Sequence, residues 1–206
     1  MADIYHNILT AAAAMSIWEV AAVGFGVAYL ALAMRQNNLC WYAAFIGTAI
    51  SIGVFWDVSL LMESALNGYY LIMAVYGWWA WRQGVEAKPL PIQRWGWRQH
   101  SLVIGLVVLL TLISGYWLEN YTQAALPYLD SFTTWGAVIT TWMVARKVLE
   151  NWLYWLVVDA AAAYMYILKD LYLFAALMLV YLVMVIFGWI NWHKEYKEQA
   201  HELQTA

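Results

Sequence analysis

The chain has 206 residues, 65% hydrophobic and 11% charged, with a net charge of −3. Soluble domains run at roughly 45–50% apolar and about 25% charged, so a soluble domain is excluded, and a single cysteine, Cys40, excludes a disulfide scaffold. At ~20 residues per span, the length accommodates about seven membrane helices with short loops and no separate soluble domain.

Seven apolar stretches follow in order: Ser16–Met34, Leu39–Phe55, Leu60–Trp81, Ser101–Leu118, Tyr128–Val144, Asn151–Leu168 and Leu171–Trp192. Pro89, Pro91 and Pro127 all fall between them, so no span needs a proline kink. The first stretch lacks the charged start and small-residue cleavage pattern of a signal peptide and is read as the first span. With seven spans, Arg35, Arg82, Lys88, Arg94, Arg98, Arg146, Lys147, Lys194 and Lys197 fall on one side and Lys169 alone on the other. That bias places the N-terminus outside, and the Arg82–His100 loop and the polar tail 193–206 in the cytoplasm. The tail reads as a solvated helical extension.

The chain repeats itself. Tyr70–Trp81 reads YLIMAVYGWWAW and Tyr181–Trp192 reads YLVMVIFGWINW, with six identities in twelve positions. Asn38 and Asp57 flank the second stretch as Asn151 and Asp170 flank the sixth, and Glu19 and Asp130 each stand early in the first stretch of a unit. The expected fold is therefore an all-α integral membrane protein with seven transmembrane helices as a 3+1+3 parallel duplication in one membrane domain. Residues 16–81 form the first three-helix unit, 101–118 the linker helix and 128–192 the second unit. Parallel repeats of this kind occur in small solute carriers, with the substrate held between the units near the midplane. Gly77 and Gly188 are expected to permit close helix contact. Trp81 and Trp192 are expected in the cytoplasmic aromatic belt.

Ionisable and polar groups at membrane depth need a partner or a purpose. Glu63, Asn67 and Tyr70 follow i, i+4, i+7 and share a helix face; Glu63 could instead snorkel to the outer surface, leaving Asn67 to bond a neighbouring helix. Trp152, Trp155 and Asp159 follow i, i+3, i+7, with the small residues Ala160–Ala163 beside them. A carboxylate with two indoles suits a cationic aromatic ligand through charge and cation–π contact. The competing reading is an internal hydrogen bond from Asp159 to a Tyr or Trp of another helix. The expected substrate-binding residues are Asp159, Trp155, Trp152, Asn67, Glu63 and Tyr70. Glu19 and Asp130 line an entrance or face solvent.

Other chemistries find no residues. His6, His100, His193 and His201 all lie outside the stretches, so neither haem ligation nor a buried metal site is expected. No phosphate-binding glycine loop and no nucleophile–base pair is present. The chain is expected to be no enzyme, to need no cofactor and to bind no nucleic acid.

The runs GYYLIMAVYGWWAW (Gly68–Trp81), ENWLYWLVVD (Glu150–Asp159) and FGWINW (Phe187–Trp192) resemble the PnuC family of bacterial vitamin transporters, over nearly the whole chain. The resemblance implies a 3+1+3 homotrimer in the bacterial inner membrane, surrounded by lipid. It also implies facilitated diffusion of an unphosphorylated vitamin that a cytoplasmic kinase then traps. Family members carry nicotinamide riboside, thiamine or riboflavin, and the first two are aromatic monocations. In some nicotinamide riboside carriers the position matching Asp159 looks like asparagine, and this chain is shorter than the best-known members. Those departures favour thiamine, with nicotinamide riboside as the alternative and riboflavin or a sugar behind both. An enzyme or a sensory subunit for the same vitamin is the rival class; it lacks a catalytic constellation or an output domain.

Overall fold

The computed structural model describes residues 2–57, 61–82 and 90–205, with side chains for 6–54, 56, 66–82 and 90–202. Among these residues the fold is helical: α1 (Ala2–Ala14), α2 (Ile17–Ala33), α3 (Cys40–Asp57), α4 (Leu61–Arg82), α5 (Trp97–Tyr121), α6 (Pro127–Ala145), α7 (Asn151–Leu168) and α8 (Tyr172–Thr205). The seven expected stretches coincide with α2 to α8. The tail continues α8 as a helix.

Helix α1 was not expected. It is separated from α2 by a bend of 107° between His6–Ala14 and Ile17–Ala33. Ser16 causes the break. Its hydroxyl accepts from the Glu19 backbone N–H at 3.2 Å while the Glu19 carboxylate accepts from the Ser16 N–H at 2.6 Å, a reciprocal cap that starts a new helix. Glu19 is thus fixed at the first turn of α2.

By length and composition, α5 and the Tyr172–Glu202 stretch of α8 each suffice to cross a membrane, and α1 with α2 do so as one bent pair. The other helices are shorter or more polar. In α6 the cause is visible in the sequence, where Ser131, Thr133, Thr134, Thr140 and Thr141 dilute the apolar run. Large apolar side chains face outward on the long helices, including Leu102, Leu109 and Ile113 of α5 and Leu179, Val183 and Ile186 of α8. Such a surface needs an apolar surrounding.

Helix α3 packs between α2 and α4, and α7 packs against α6 and α8. The two groups meet along two seams, α4 against α6 and α2 against α8, while α5 packs on α6. Between the groups, at the end where α4 finishes, lies a layer of four indoles. Trp41 meets Trp81 edge-on at 5.3 Å and 84°, Trp152 meets Trp192 at 5.4 Å and 84°, and Trp81 lies 6.0 Å from Trp192. A Cβ on Gly77 would collide with the Trp41 ring, and one on Gly188 with the Trp152 ring. The two glycines therefore permit the close helix contact expected of them.

Each of these contacts recurs 111 positions further along, 41 to 152, 77 to 188 and 81 to 192. The turns recur likewise. Gln36 and Lys147 both take positive φ, 51° and 50°. Each closes its helix with the same pair of bonds, from Gln36 N–H to Ala33 O and Asn37 N–H to Leu32 O, and from Lys147 N–H to Val144 O and Val148 N–H to Met143 O.

The belt position expected for Trp81 and Trp192 is corrected here. They are 4% and 0% exposed, packed edge-on against Trp41 and Trp152 respectively. Trp81 Nε1 donates to the carbonyl of Val144 at 3.2 Å and Trp192 Nε1 to that of Ala33 at 2.9 Å.

Candidate functional site

A cavity of about 530 Å³ lies between the two groups of helices, with walls from α2, α3, α4, α6, α7 and α8. Asp159 and Trp155 of α7 face Asn67 and Tyr70 of α4 across it. The helical spacing that put each pair on one face thus brings both pairs to one space. Glu63 belongs to α4, but its side chain lies outside the described residues. Glu19 and Asp130 both line the cavity.

Trp152 does not line it. The expected site residue is 1% exposed, packed over Gly188 and against Trp192. One helical turn separates it from Trp155, and that turn carries it out of the cavity into the indole layer. Its role is packing.

Asp159 is 6% exposed, with no hydrogen bond or ion pair among the described residues, and its charge acts on the nearby Tyr181 phenol of α8. The internal bond to a Tyr or Trp, the competing account of this carboxylate, is therefore not formed among them. A buried, unpaired carboxylate is costly in this setting, which makes the position a place for a donor or a cation. Charged lining residues among those described are Glu19, Asp130 and Asp159, all acidic. Aromatic faces are supplied by Trp155, Tyr29, Tyr70, Tyr166, Tyr181 and Phe174, and by Trp41 of the indole layer. Acidic groups with π faces attract a flat cation, and the volume falls in the range of small-molecule sites.

Sequence reasoning missed Tyr29, Thr48, Thr133, Thr141 and Tyr181 as lining residues. Tyr181 was within reach, since it stands where Tyr70 stands in the repeated motif. The threonines gave no such signal, because a Thr in an apolar helix commonly bonds back to its own backbone, as Thr141 does to Ala137 O at 2.8 Å.

The lining positions also come in pairs 111 apart, and the pairs differ in chemistry. One side carries Ala22, Leu30, Ala44 and Thr48 where the other carries Thr133, Thr141, Trp155 and Asp159. A second groove of about 510 Å³ beside α5, α6 and α7 is apolar for most of its length and gathers no comparable set.

Comparison with known proteins follows the same lines. The family model described as nicotinamide mononucleotide transporter matches residues 16–194. A riboflavin/roseoflavin transporter, RibM, of Streptomyces davaonensis is 20% identical over 171 residues, covering 81% of this chain and 80% of the relative. The nicotinamide riboside transporter PnuC of Escherichia coli is 22% identical over 202 residues, covering 82% and 83%. Among solved structures, a crystal structure of the vitamin B3 transporter PnuC superposes with a TM-score of 0.71 at 20% identity, covering 95% of this chain and 90% of that one.

Proposed function

The chain belongs to the nicotinamide mononucleotide transporter family, the PnuC family, and from that premise we propose that it carries a flat cationic vitamin, nicotinamide riboside, across the bacterial inner membrane. The family is one of membrane transporters, and the chain is a multi-pass membrane protein. The observation that carries the cargo reading is Asp159, a buried carboxylate with no cationic partner among the described residues, beside the Trp155 indole in a shared cavity.

In this reading the pyridinium charge rests near Asp159 and its ring against Trp155, through Coulomb attraction and cation–π contact in a water-poor space. Asn67, with both donor and acceptor, and the Tyr70 phenol serve the carboxamide and the ribose hydroxyls. The threonines of α6 add hydroxyls along one wall. Glu19 and Asp130 gather the cation at the mouth. No energy source is invoked: diffusion is facilitated, and phosphorylation by a cytoplasmic kinase traps the product. The proposed architecture is the 3+1+3 parallel duplication, with α2–α4 and α6–α8 as the units and α5 between them, assembled as a homotrimer with the N-terminus outside. The contacts that recur at a spacing of 111 support the duplication.

The preference for thiamine is dropped. It rested on the carboxylate at position 159 and on the short chain, and the cargoes named for the relatives are nicotinamide riboside and riboflavin. Uptake of nicotinamide riboside, thiamine and riboflavin into liposomes bearing the purified protein tests the proposal. Nicotinamide riboside should enter fastest; entry no faster than into empty liposomes refutes transport, and faster entry of another vitamin refutes the cargo.

A further inference from the structure

The two ends of the cavity are built differently. At the end bearing Glu19 and Asp130 the facing groups are both acidic, and Glu19 is tied to Ser16 of its own helix start. At the opposite end, four hydrogen bonds run between α2–α4 with the turn after α2 on one side and α6–α8 with the turn after α6 on the other. They are Trp81 Nε1 to Val144 O at 3.2 Å, Trp192 Nε1 to Ala33 O at 2.9 Å, Lys147 Nζ to Gln36 Oε1 at 3.0 Å and Arg146 Nη1 to Tyr76 Oη at 3.4 Å. One more, Tyr69 Oη to Val138 O at 2.7 Å, lies further along the α4/α6 seam.

The indole pair is reciprocal. Trp81 of the first group reaches the end of α6, and Trp192 of the second reaches the end of α2. A rotation of one group against the other therefore breaks both bonds together, as a rigid-body switch requires. Both acceptors are carbonyls in the last turn of a helix, Ala33 and Val144, each already taking a turn N–H through one lone pair. An indole N–H freed from such a carbonyl finds water as the gap opens, so the bond is exchanged rather than lost. A contact of that kind can open and close.

The chain also indicates which parts move. The segment before α5 is fastened to the second group. Gln93 N–H donates to Lys147 O at 3.0 Å, Leu149 N–H donates to Gln93 O at 2.9 Å, and Arg94 pairs with Glu150 at 2.8 Å. His100 and Tyr154 are hydrogen-bonded at 2.9 Å. Helix α5 thus travels with α6–α8.

We propose that the reciprocal indole bonds of Trp81 and Trp192 are the gate at this end of the cavity, opened when α2–α4 turn as one body against α5–α8. The inference rests on the transport reading, because a gate has a purpose only if the cavity delivers its ligand to that side. It assigns these two tryptophans a role in translocation, not in ligand contact.

Cys40, the single cysteine, sits in the same layer at 0% exposure and reports on the gate without any ligand. Its labelling by a membrane-impermeant maleimide is measured in right-side-out and inverted membrane vesicles holding the full chain, for wild type and for Trp81→Phe with Trp192→Phe. The phenyl rings keep most of the packing and remove both N–H donors. Labelling should rise about tenfold in the double variant, and only from the side that bears the end of α8. Trp97→Phe, an exposed indole, should leave the rate at the wild-type level. An unchanged rate in the double variant overturns the proposal, and so does a rise of equal size from both sides, which marks loosening of the whole fold. Nicotinamide riboside uptake measured beside it separates the two conclusions: one-sided labelling with no uptake refutes the cargo and leaves the gate standing.

Discussion

The ammonium of Lys147 lies 4.8 Å from the centroid of the Trp81 ring. It is buried in the turn between α6 and α7, and Gln36 Oε1, 3.0 Å away, accepts from it. Burial pushes its pKa from near 10.5 down to about 8, partly offset by the charge of Glu195 and by Cys40. The folded state therefore binds fewer protons than the unfolded chain between these two values, and stability from this residue rises as pH rises through that window. The thermal midpoint in detergent, compared between wild type and Lys147→Met, should shift in favour of wild type from pH 7.5 to 9.5. A pH-independent difference would show that Lys147 is charged at no cost.

Asp159→Asn keeps the shape of the side chain and removes its charge. If the carboxylate holds the cation, affinity for nicotinamide riboside should fall by about 1–3 kcal/mol, with the thermal midpoint of the empty protein unchanged or raised, since a buried charge has been removed. Titration calorimetry on the purified variant decides it. Equal affinity assigns Asp159 to structure.

Gly77→Ala and Gly188→Ala each drive a methyl group into an indole, Trp41 or Trp152. Neither ring has room to retreat, because each is locked edge-on to a second indole. Each substitution should cost about 1–3 kcal/mol as overpacking, read as a lowered midpoint for both variants. Gly53→Ala, where a Cβ meets nothing, is the control and should be neutral or better.

Two ion pairs contrast sharply. Arg94 contacts Glu150 at 2.8 Å, with the carboxylate side chain 8% exposed and also accepting from Trp95 N–H at 3.3 Å. Lys194 and Glu198 stand 3.9 Å apart on an exposed helix face. Arg94→Ala leaves a buried carboxylate short of its charged partner and should destabilise by about 1–3 kcal/mol. Lys194→Ala should cost no more than about 0.5 kcal/mol. Comparable losses from the two would show that the 90–96 segment is not pinned as the structure has it.

The positions of α2 to α8 were legible in the sequence because each is an apolar run bounded by polar residues or proline. The start of α2 at Ser16 was legible too, but helix α1 before it was not, because the Ala-rich run Leu9–Met15 was too short to be read as a span of its own. Half of the cavity was legible for the same reason that the helices were. A spacing of four or seven residues fixes a face, and the described residues of those faces on α4 and α7, Trp152 apart, line one cavity. Trp152 marks the limit of that argument. Residues three apart share a face but differ by about 4.5 Å in height, and height decides between the cavity and the indole layer. The fates of Trp81 and Trp192 depended on carbonyls at the ends of α6 and α2 that accept from their indole N–H groups, contacts between helices that leave no periodic signal along the chain.

The cavity walls differ in chemistry while their positions correspond at a spacing of 111. Where one wall has Ala22, Leu30 and Thr48, the other has Thr133, Thr141 and Asp159. A passage lined by two identical walls would accept an elongated guest equally well either way round. Here an amphipathic guest that turns end for end trades a carboxylate for a methyl-bearing surface, so the two poses are no longer degenerate. The unequal residues on the two corresponding walls give a passenger one preferred pose in the compartment, head and tail distinguished.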